Sequence, residues 1–129
     1  MNQNTKKQSK KNISFHYDLG NDFYKHWLDP SMTYSSAIFT KDNKELHEAQ
    51  INKYDQIAEP LGLNENSNLL EIGCGWGGFS TYVAKKYGSK IKAITISKEQ
   101  FDFTSRKIFN EGLNEKISLE MKDYREVNE

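Results

Sequence analysis

An apolar strand that runs into a loop almost without side chains is the feature that most constrains this chain. Residues Leu69 to Gly78 read LLEIGCGWGG, with four glycines in the last six positions. Glycine tolerates positive φ and, having no Cβ, lets the main chain approach a ligand closely. A helix expected from about Phe79 would present its first N–H groups and its positive dipole end to the same ligand. The segment is therefore typical of an α/β fold that binds a nucleotide-like cofactor.

The spacing of these glycines fits two kinds of cofactor loop. The G-x-G-x-x-G pattern of dinucleotide-binding proteins is matched by Gly73, Gly75 and Gly78. The acid-x-G-x-G-x-G pattern of S-adenosylmethionine enzymes is matched by Glu71, Gly73, Gly75 and Gly77. Both patterns are satisfied at once, so a second feature of the chain has to distinguish them.

The end of the next strand provides that feature. A dinucleotide site requires an acidic residue about 20 positions after the loop, where it binds the ribose hydroxyls. Here the strand ends in Thr95-Ile96-Ser97, and the nearest acid, Glu99, is expected to help cap the next helix after its N-cap Ser97. This pattern disfavours a nicotinamide-dependent oxidoreductase. Because many methyltransferases also have an acid at this place, its absence indicates a narrower family.

Length and charge limit the remaining possibilities. The chain has 129 residues, a single cysteine, and 18 basic against 18 acidic residues. One domain of this size is expected, and the lone Cys74 predicts neither an internal disulfide nor a metal cluster. No apolar run approaches the ~20 residues of a membrane span, and the start has no signal-peptide pattern. We therefore expect a cytoplasmic protein without a bound metal.

Residues 1–12 form a basic tail that contains Lys6, Lys7, Lys10 and Lys11 and no acid. We expect this tail to be disordered and solvated. The alternative is weak attraction to anionic lipid, worth ~1 kcal/mol per basic residue near a surface. The rest of the chain is acidic overall and has no basic stripe with aromatic stacking residues. Nucleic acid is therefore not an expected partner.

Hydrophobic periodicity divides the chain after the tail. Residues 18–28 predict a short helix, 31–40 a hydroxyl-rich loop, and 44–61 an amphipathic helix that ends near Pro60 and Gly62. The pattern beyond these residues is β-α-β-α-β. The predicted strands are Leu69–Ile72, Ile91–Ile96 and Ile117–Met121, and the predicted helices are Phe79–Tyr87 and Lys98–Asn110.

The alternating order has a topological consequence. Units of this kind require right-handed crossovers in a parallel sheet, and their ligands bind at the carboxyl ends of the strands. Gly73, Thr95 and Asp123 all fall at such ends. We therefore expect these three positions to lie at one edge of the sheet.

Five segments of the chain share their order and spacing with one family. They are His16–Tyr24 (HYDLGNDFY), Trp27–Ser35 (WLDPSMTYS), Glu48–Gln50 (EAQ), Gly73–Gly78 (GCGWGG) and Thr95–Gln100 (TISKEQ). Together they resemble the cyclopropane-fatty-acyl-phospholipid synthases and the related mycolic acid cyclopropane synthases, from about Ile13 to the end of the chain. The resemblance implies an incomplete Rossmann-like class I methyltransferase fold. Residues 13–62 would be an N-terminal helical segment on the substrate side, and residues 63–129 the first half of the cofactor domain, with three parallel strands and flanking helices.

The resemblance also implies an activity. This is methyl transfer from S-adenosylmethionine to the cis double bond of a phospholipid acyl chain, followed by proton loss and ring closure. Acyl chains at the inner face of the membrane would be the partner, reached from the cytoplasm. An alkene is a weak nucleophile, so most of the acceleration is expected from alignment in a dry pocket, where proximity supplies ~7–11 kcal/mol.

The resemblance implies a set of site residues as well. The full cofactor set, taken from the loop and the resemblance, is Tyr34, Ser35, Glu71, Gly73, Cys74, Gly75, Trp76, Gly77, Thr95, Ile96, Ser97, Gln100, Asp123 and Tyr124. The family uses a Thr-x-Ser-x-x-Gln arrangement where others have a ribose acid, and Asp123 and Tyr124 are implied beside the adenine. The ring of Trp76 suits either a cation–π contact with the sulfonium or plain packing, and Cys74 suits a position that requires a small side chain.

Two further residues are candidates for catalysis. Ser36 stands where the family usually has cysteine, at the site of a bicarbonate that accepts the proton, and His16 is the second candidate. The family continues for well over a hundred residues beyond this region. We therefore expect an amino-terminal half that does not cyclopropanate lipids alone. Its first strand would have an uncovered edge, both faces of its sheet would be partly uncovered, and a homodimer or a complementary C-terminal half would be its partner.

Three alternatives remain from the sequence. They are methylation of another acceptor, a non-catalytic interaction module, and an NAD-dependent oxidoreductase. The first stays open because the acceptor pocket of the family lies mainly beyond the matched region. The second rests on the basic tail and the exposed strand edge, and the third on the glycine spacing alone.

Overall fold

The computed structural model describes Pro30, Thr33, residues 37–42 and residues 45–127. Outside these residues lie the basic tail, the helix predicted at 18–28, and the site residues His16, Tyr34, Ser35 and Ser36. Within the described part, no helix combines the length and apolar character that crossing a bilayer requires. The same part contains no group of three or more His, Cys, Asp or Glu side chains that could hold a metal ion.

The first described helix, α1, spans Leu46–Ala58 and is shorter than the predicted helix at 44–61. It stops before Pro60, which has no N–H to continue the helical hydrogen bonds, and Gly62 then reverses the chain at a φ of 62°. The residues that α1 buries are Ala49, Gln50, Tyr54 and Ala58. The predicted apolar positions Leu46, Ile57 and Leu61 are exposed, so the buried side is narrower than the sequence pattern indicates.

Three parallel strands follow and form one sheet in the order β1-β2-β3. They are β1 (Asn68–Ile72), β2 (Lys90–Thr95) and β3 (Ile117–Met121). Leu69 pairs with Ile91, which in turn pairs with Ile117. The predicted β-α-β-α-β order and parallel sheet are confirmed. The bounds of β1 and β2 each differ from the prediction by one residue, and β3 has the predicted bounds.

The connecting helices, α2 (Gly78–Tyr87) and α3 (Lys98–Asn110), pack on the same face of the sheet. Two successive right-handed crossovers require this arrangement. The core between helices and sheet consists of Cys74, Val83, Ala84, Ile91, Ala93, Ile108, Leu113 and Ile117. Beyond β3, a single 3₁₀ turn at Tyr124–Glu126 begins at Asp123.

The opposite face of β1 is open. Leu70 and Ile72 alternate with the core-facing residues of this strand and are 39% and 56% exposed. Strand β1 is also an edge of the described sheet. The expectation that both faces are partly uncovered therefore holds for one face only, because α2 and α3 bury the other.

Helix α1 is attached to α2 by a cluster of four side chains, the Asp55 cluster (Asp55, Tyr82, Lys86 and Tyr87). One oxygen, Oδ1 of Asp55, accepts hydrogen bonds from Tyr82 at 2.7 Å, Lys86 at 2.8 Å and Tyr87 at 2.8 Å. Burial raises the pKa of Asp55, but these hydrogen bonds outweigh it and hold the pKa below its ordinary value. The cluster therefore keeps its carboxylate charged and attaches α1 to α2.

Candidate functional site

The connection between β1 and α2 is a tight turn of five residues, 73–77, which we call the glycine loop. Gly73, Gly75 and Gly77 adopt positive φ values of 74°, 56° and 81°, a region that side chains disfavour. The N–H groups of Gly73 and Cys74 both donate to the carbonyl of Ile94 on β2, at 3.0 and 3.1 Å. The sequence folds this way because glycine alone permits three left-handed residues within five positions.

The glycine loop has one open side and one closed side. A Cβ built at Gly73 or at Gly75 would meet no atom within 4 Å. A Cβ at Gly77 would lie only 2.6 Å from Cγ2 of Thr104 on α3. The open side therefore exposes nearly bare main chain at the carboxyl end of β1, which is the place where a ligand binds in this topology.

The two side chains between the glycines point into the protein. Cys74 is 5% exposed and Trp76 is 1% exposed. The Trp76 ring packs edge-to-face on Phe103 of α3, with 5.5 Å between centroids. Burial, with a smaller effect of the Glu71 charge, raises the pKa of the Cys74 thiol to about 12, so this thiol stays neutral. These observations favour packing over a cation–π contact for Trp76.

Glu71 lies two residues before the glycine loop and is half-buried. The hydroxyl of Ser80, on α2, donates a hydrogen bond to Oε2 of Glu71. Burial raises the pKa of Glu71 to about 7, and the Ser80 hydrogen bond offsets only part of that effect. A carboxyl with this pKa responds strongly to a positive charge placed nearby.

A buried hydrogen-bond network of Thr95, Ser97 and Gln100 marks the end of β2. Ser97 is the N-cap of α3, and its Oγ accepts from the Gln100 N–H at 3.3 Å. Thr95 Oγ1 accepts from the Ser97 N–H at 3.2 Å and donates to Oε1 of Gln100 at 3.2 Å. The Gln100 side chain is thereby turned to the strand end, where other families have the ribose acid. Glu99 lies in the first turn of α3, and the hydrogen-bonded cap is made by Ser97.

Asp123 follows β3 and engages its own neighbour. Its carboxylate accepts from the Arg125 main-chain N–H at 2.9 Å and from the Arg125 guanidinium at 2.9 and 2.7 Å. The Tyr124 ring beside it is 61% exposed. Ile96, between the strand end and the helix cap, is half-buried.

The strand ends come together as the topology requires. Gly73 follows β1, Thr95 is the last residue of β2, and Asp123 lies just beyond β3. The carboxyl ends of these three neighbouring parallel strands share one edge of the sheet. Thr33 is the described neighbour of the predicted site residues Tyr34 and Ser35, and its hydroxyl forms a hydrogen bond with that of Tyr54 on α1.

Sequence patterns did not indicate two residues that support this site, Ser80 and Thr104. Both are fully buried hydroxyls, and each bonds a residue of β1 or of the glycine loop from a helix. The only signal in the sequence is a polar residue at an apolar helix position. That signal does not say which group the hydroxyl meets.

Comparison with known proteins agrees with this geometry. The family described as Mycolic acid cyclopropane synthetase matches residues 4–129. A probable fatty acid methyltransferase of Pseudomonas putida is 43% identical over 115 residues, which are 89% of this chain and 29% of that protein. The cyclopropane-fatty-acyl-phospholipid synthase of Escherichia coli is 41% identical over 114 residues, 88% of this chain and 28% of that protein.

A solved structure shows the same fold. The mycolic acid cyclopropane synthase CmaA1, complexed with SAH and CTAB, superposes with a TM-score of 0.87 at 34% identity, over 93% of this chain and 42% of that one. The fold is that of the class I S-adenosylmethionine-dependent methyltransferases. The chain belongs to the mycolic acid cyclopropane synthetase family. It spans less than a third of the length of the two relatives from Pseudomonas putida and Escherichia coli.

Proposed function

We propose that the glycine loop binds S-adenosylmethionine. The observation that carries this proposal is the open side of the loop, where Gly73 and Gly75 leave room that a Cβ would fill. The solved relative CmaA1 is complexed with SAH, the product form of this cofactor. The main chain of the loop and the carboxyl of Glu71 would hold the polar end of the cofactor. The side chains of Cys74 and Trp76 are buried, so these two residues would contact the cofactor through their main chain only.

The remaining cofactor contacts are assigned by strand end. The Thr95, Ser97 and Gln100 network, with Ile96, would bind the ribose in place of an acidic residue, and Asp123 and Tyr124 would flank the adenine. Tyr34 and Ser35 would contact the cofactor from the segment that Thr33 connects to α1. The network supports this assignment because it orients the Gln100 amide at the strand end through Thr95.

We further propose that the activity of the whole protein is methylation of the cis double bond of phospholipid acyl chains, leading to a cyclopropane ring. The cofactor supplies an electrophilic methyl group. The protein would hold the cofactor in a fixed position and keep water out of the site. A weak nucleophile such as an alkene requires both. Ring closure after methyl transfer releases a proton from the acyl chain. Ser36 and His16 would bind the bicarbonate that accepts this proton. The name of the Escherichia coli relative supports this substrate class.

The domain assignment is part of the same proposal. Residues 13–62 would face the lipid, residues 63–129 would bind the cofactor, and the protein would act from the cytoplasm at the inner face of the membrane. Catalysis would need the region that its relatives have beyond the matched part, as a complementary C-terminal half. The open face at Leu70 and Ile72 supports this requirement.

Two measurements test the proposal separately. Calorimetric titration with S-adenosylhomocysteine should show binding to the folded chain, whereas titration with NADH should show none. The opposite result would identify a dinucleotide site instead. Labelled S-adenosylmethionine and unsaturated phospholipid vesicles should give no labelled lipid with the 129 residues alone. Robust turnover would contradict the need for a complementary half.

A further inference from the structure

Thr104, on the second turn of α3, contacts the glycine loop from its closed side. The residue is fully buried, and its hydroxyl donates to the carbonyl of Gly75 at 3.2 Å. Its methyl carbon lies 2.6 Å from the position that a Cβ of Gly77 would take. Its neighbour Phe103 packs on Trp76. Helix α3 therefore touches three consecutive residues of the loop.

The hydroxyl of Thr104 fixes one peptide plane of the loop. A peptide unit is planar and trans, so its N–H points opposite to its carbonyl. With the Gly75 carbonyl directed at α3, the N–H of the same peptide is directed away from α3. Glycine peptides rotate more freely than others, so without this hydrogen bond the loop would have more conformations to lose when a ligand binds.

The methyl group of Thr104 acts by excluded volume. It fills the closed side beside Gly77, where a side chain at position 77 would have to overlap it. Gly77 is also the N-cap of α2, and its carbonyl accepts from the Thr81 hydroxyl at 2.7 Å. The loop is therefore clamped at Gly75 and Gly77 from two different helices.

We propose that Thr104 is a positioning residue that holds the glycine loop in its ligand-binding form. It does not touch the ligand itself, and its two groups have separate roles. The hydroxyl orients the peptide after Gly75, and the methyl restricts the space at Gly77. This inference rests on the proposed function of the glycine loop as the S-adenosylmethionine site.

The test compares Thr104→Val, which keeps the shape and loses the hydroxyl, with Thr104→Ser, which keeps the hydroxyl and loses the methyl. Calorimetry should show that Thr104→Val binds S-adenosylhomocysteine about 3–10-fold more weakly than the unaltered chain, as one lost hydrogen bond implies. Thr104→Ser should stay within about 2-fold, because the conservative hydroxyl rescues the contact.

Ser89→Ala is the matched control. Ser89 is also fully buried and donates to a loop carbonyl, that of Asn64, at 2.8 Å, but it precedes β2 at the other end of the sheet. Ser89→Ala should lower the denaturant midpoint as Thr104→Val does and leave the affinity unchanged. Equal losses of affinity in the two variants, or unchanged affinity in Thr104→Val, would overturn the positioning role.

Two further measurements keep the inference testable. Amide hydrogen exchange should be faster at residues 73–77 in Thr104→Val than in the unaltered chain, and unchanged protection would refute the role even if S-adenosylhomocysteine does not bind. If Thr104→Val does not fold, the stabilities of Gly77→Ala and of Gly77→Ala/Thr104→Ser are compared instead. The double variant removes the methyl that opposes the new Cβ and should be the more stable of the two. Strictly additive losses would contradict the steric contact.

Discussion

Ser80 donates a hydrogen bond to the carboxylate of Glu71, so the first turn of α2 reaches back to the strand that precedes the glycine loop. This contact places a polar side chain of β1 under the loop in a mostly apolar layer. Burial raises the pKa of Glu71 from 4.5 to about 7 although the Ser80 hydrogen bond opposes the shift. Among the described residues of the site, Glu71 is therefore a group whose charge changes near neutral pH.

The raised pKa of Glu71 predicts a pH-dependent stability. The folded chain favours the neutral carboxyl of Glu71. The contribution of this residue to the free energy of unfolding is therefore fully present below the pKa of Glu71 in the unfolded chain, and it is lost as the pH rises through about 7. The difference is at most ~3 kcal/mol. Urea unfolding between pH 4.5 and 8 should show this decline, and Glu71→Gln should remove it. A decline of the same size in Glu71→Gln would assign it to other groups.

The Asp55 cluster predicts a strong coupling between α1 and α2. Asp55→Ala leaves two tyrosine hydroxyls without their acceptor and should lower the free energy of unfolding by about 2 kcal/mol. The control is Asp102→Ala, which breaks the exposed ion pair of Asp102 with Lys98 within α3 and should cost less than about 0.5 kcal/mol. Similar losses in both variants, measured by denaturant unfolding, would show that the cluster does not join the helices.

The strand-end network predicts which residue binds the ribose. Gln100→Leu replaces a buried amide with an apolar side chain of similar size. It should weaken binding of S-adenosylhomocysteine about 10-fold, the effect of one or two lost hydrogen bonds. Glu99→Gln removes the nearest acid and should leave the affinity unchanged. If calorimetry shows the reverse order, an acidic ribose contact of the dinucleotide type is present instead.

Much of the fold was predictable because it depends on local patterns. Helix α3 and strand β3 have the predicted bounds, since a Ser cap and a short apolar run specify them within a few residues. Helix α1 was predicted too long because apolar residues such as Leu61 continue its period into the exposed turn after Pro60. The spacing of apolar residues indicates which segment could form an amphipathic helix. It does not indicate at which residue the packing against the rest of the protein ends.

The position of the candidate site was predictable as far as the topology places it. Gly73, Thr95 and Asp123 follow from the strand ends, and Gln100 follows from the resemblance to the family. The contacts of Thr104 and Asp55 could not be predicted from the sequence, because their partners are distant in the chain. Thr104 bonds a residue 29 positions away, and Asp55 bonds residues 27 to 32 positions away. A single sequence carries no signal for such pairs. Only the packed structure shows which helix meets the loop.

The most direct test of the central claim compares two glycines that share a backbone conformation. Gly73 and Gly112 have φ values of 74° and 69°, and a Cβ at either position meets no atom within 4 Å. Alanine at either position should therefore cost about the same stability, roughly 1 kcal/mol. They differ in place, because only Gly73 lies on the open side of the glycine loop.

Calorimetric titration of Gly73→Ala and Gly112→Ala with S-adenosylhomocysteine decides the matter. We predict that Gly112→Ala binds like the unaltered chain and that Gly73→Ala binds at least about 10-fold more weakly, because its Cβ occupies the space that the cofactor needs. Equal affinity in the two variants would contradict the assignment of the glycine loop as the cofactor site.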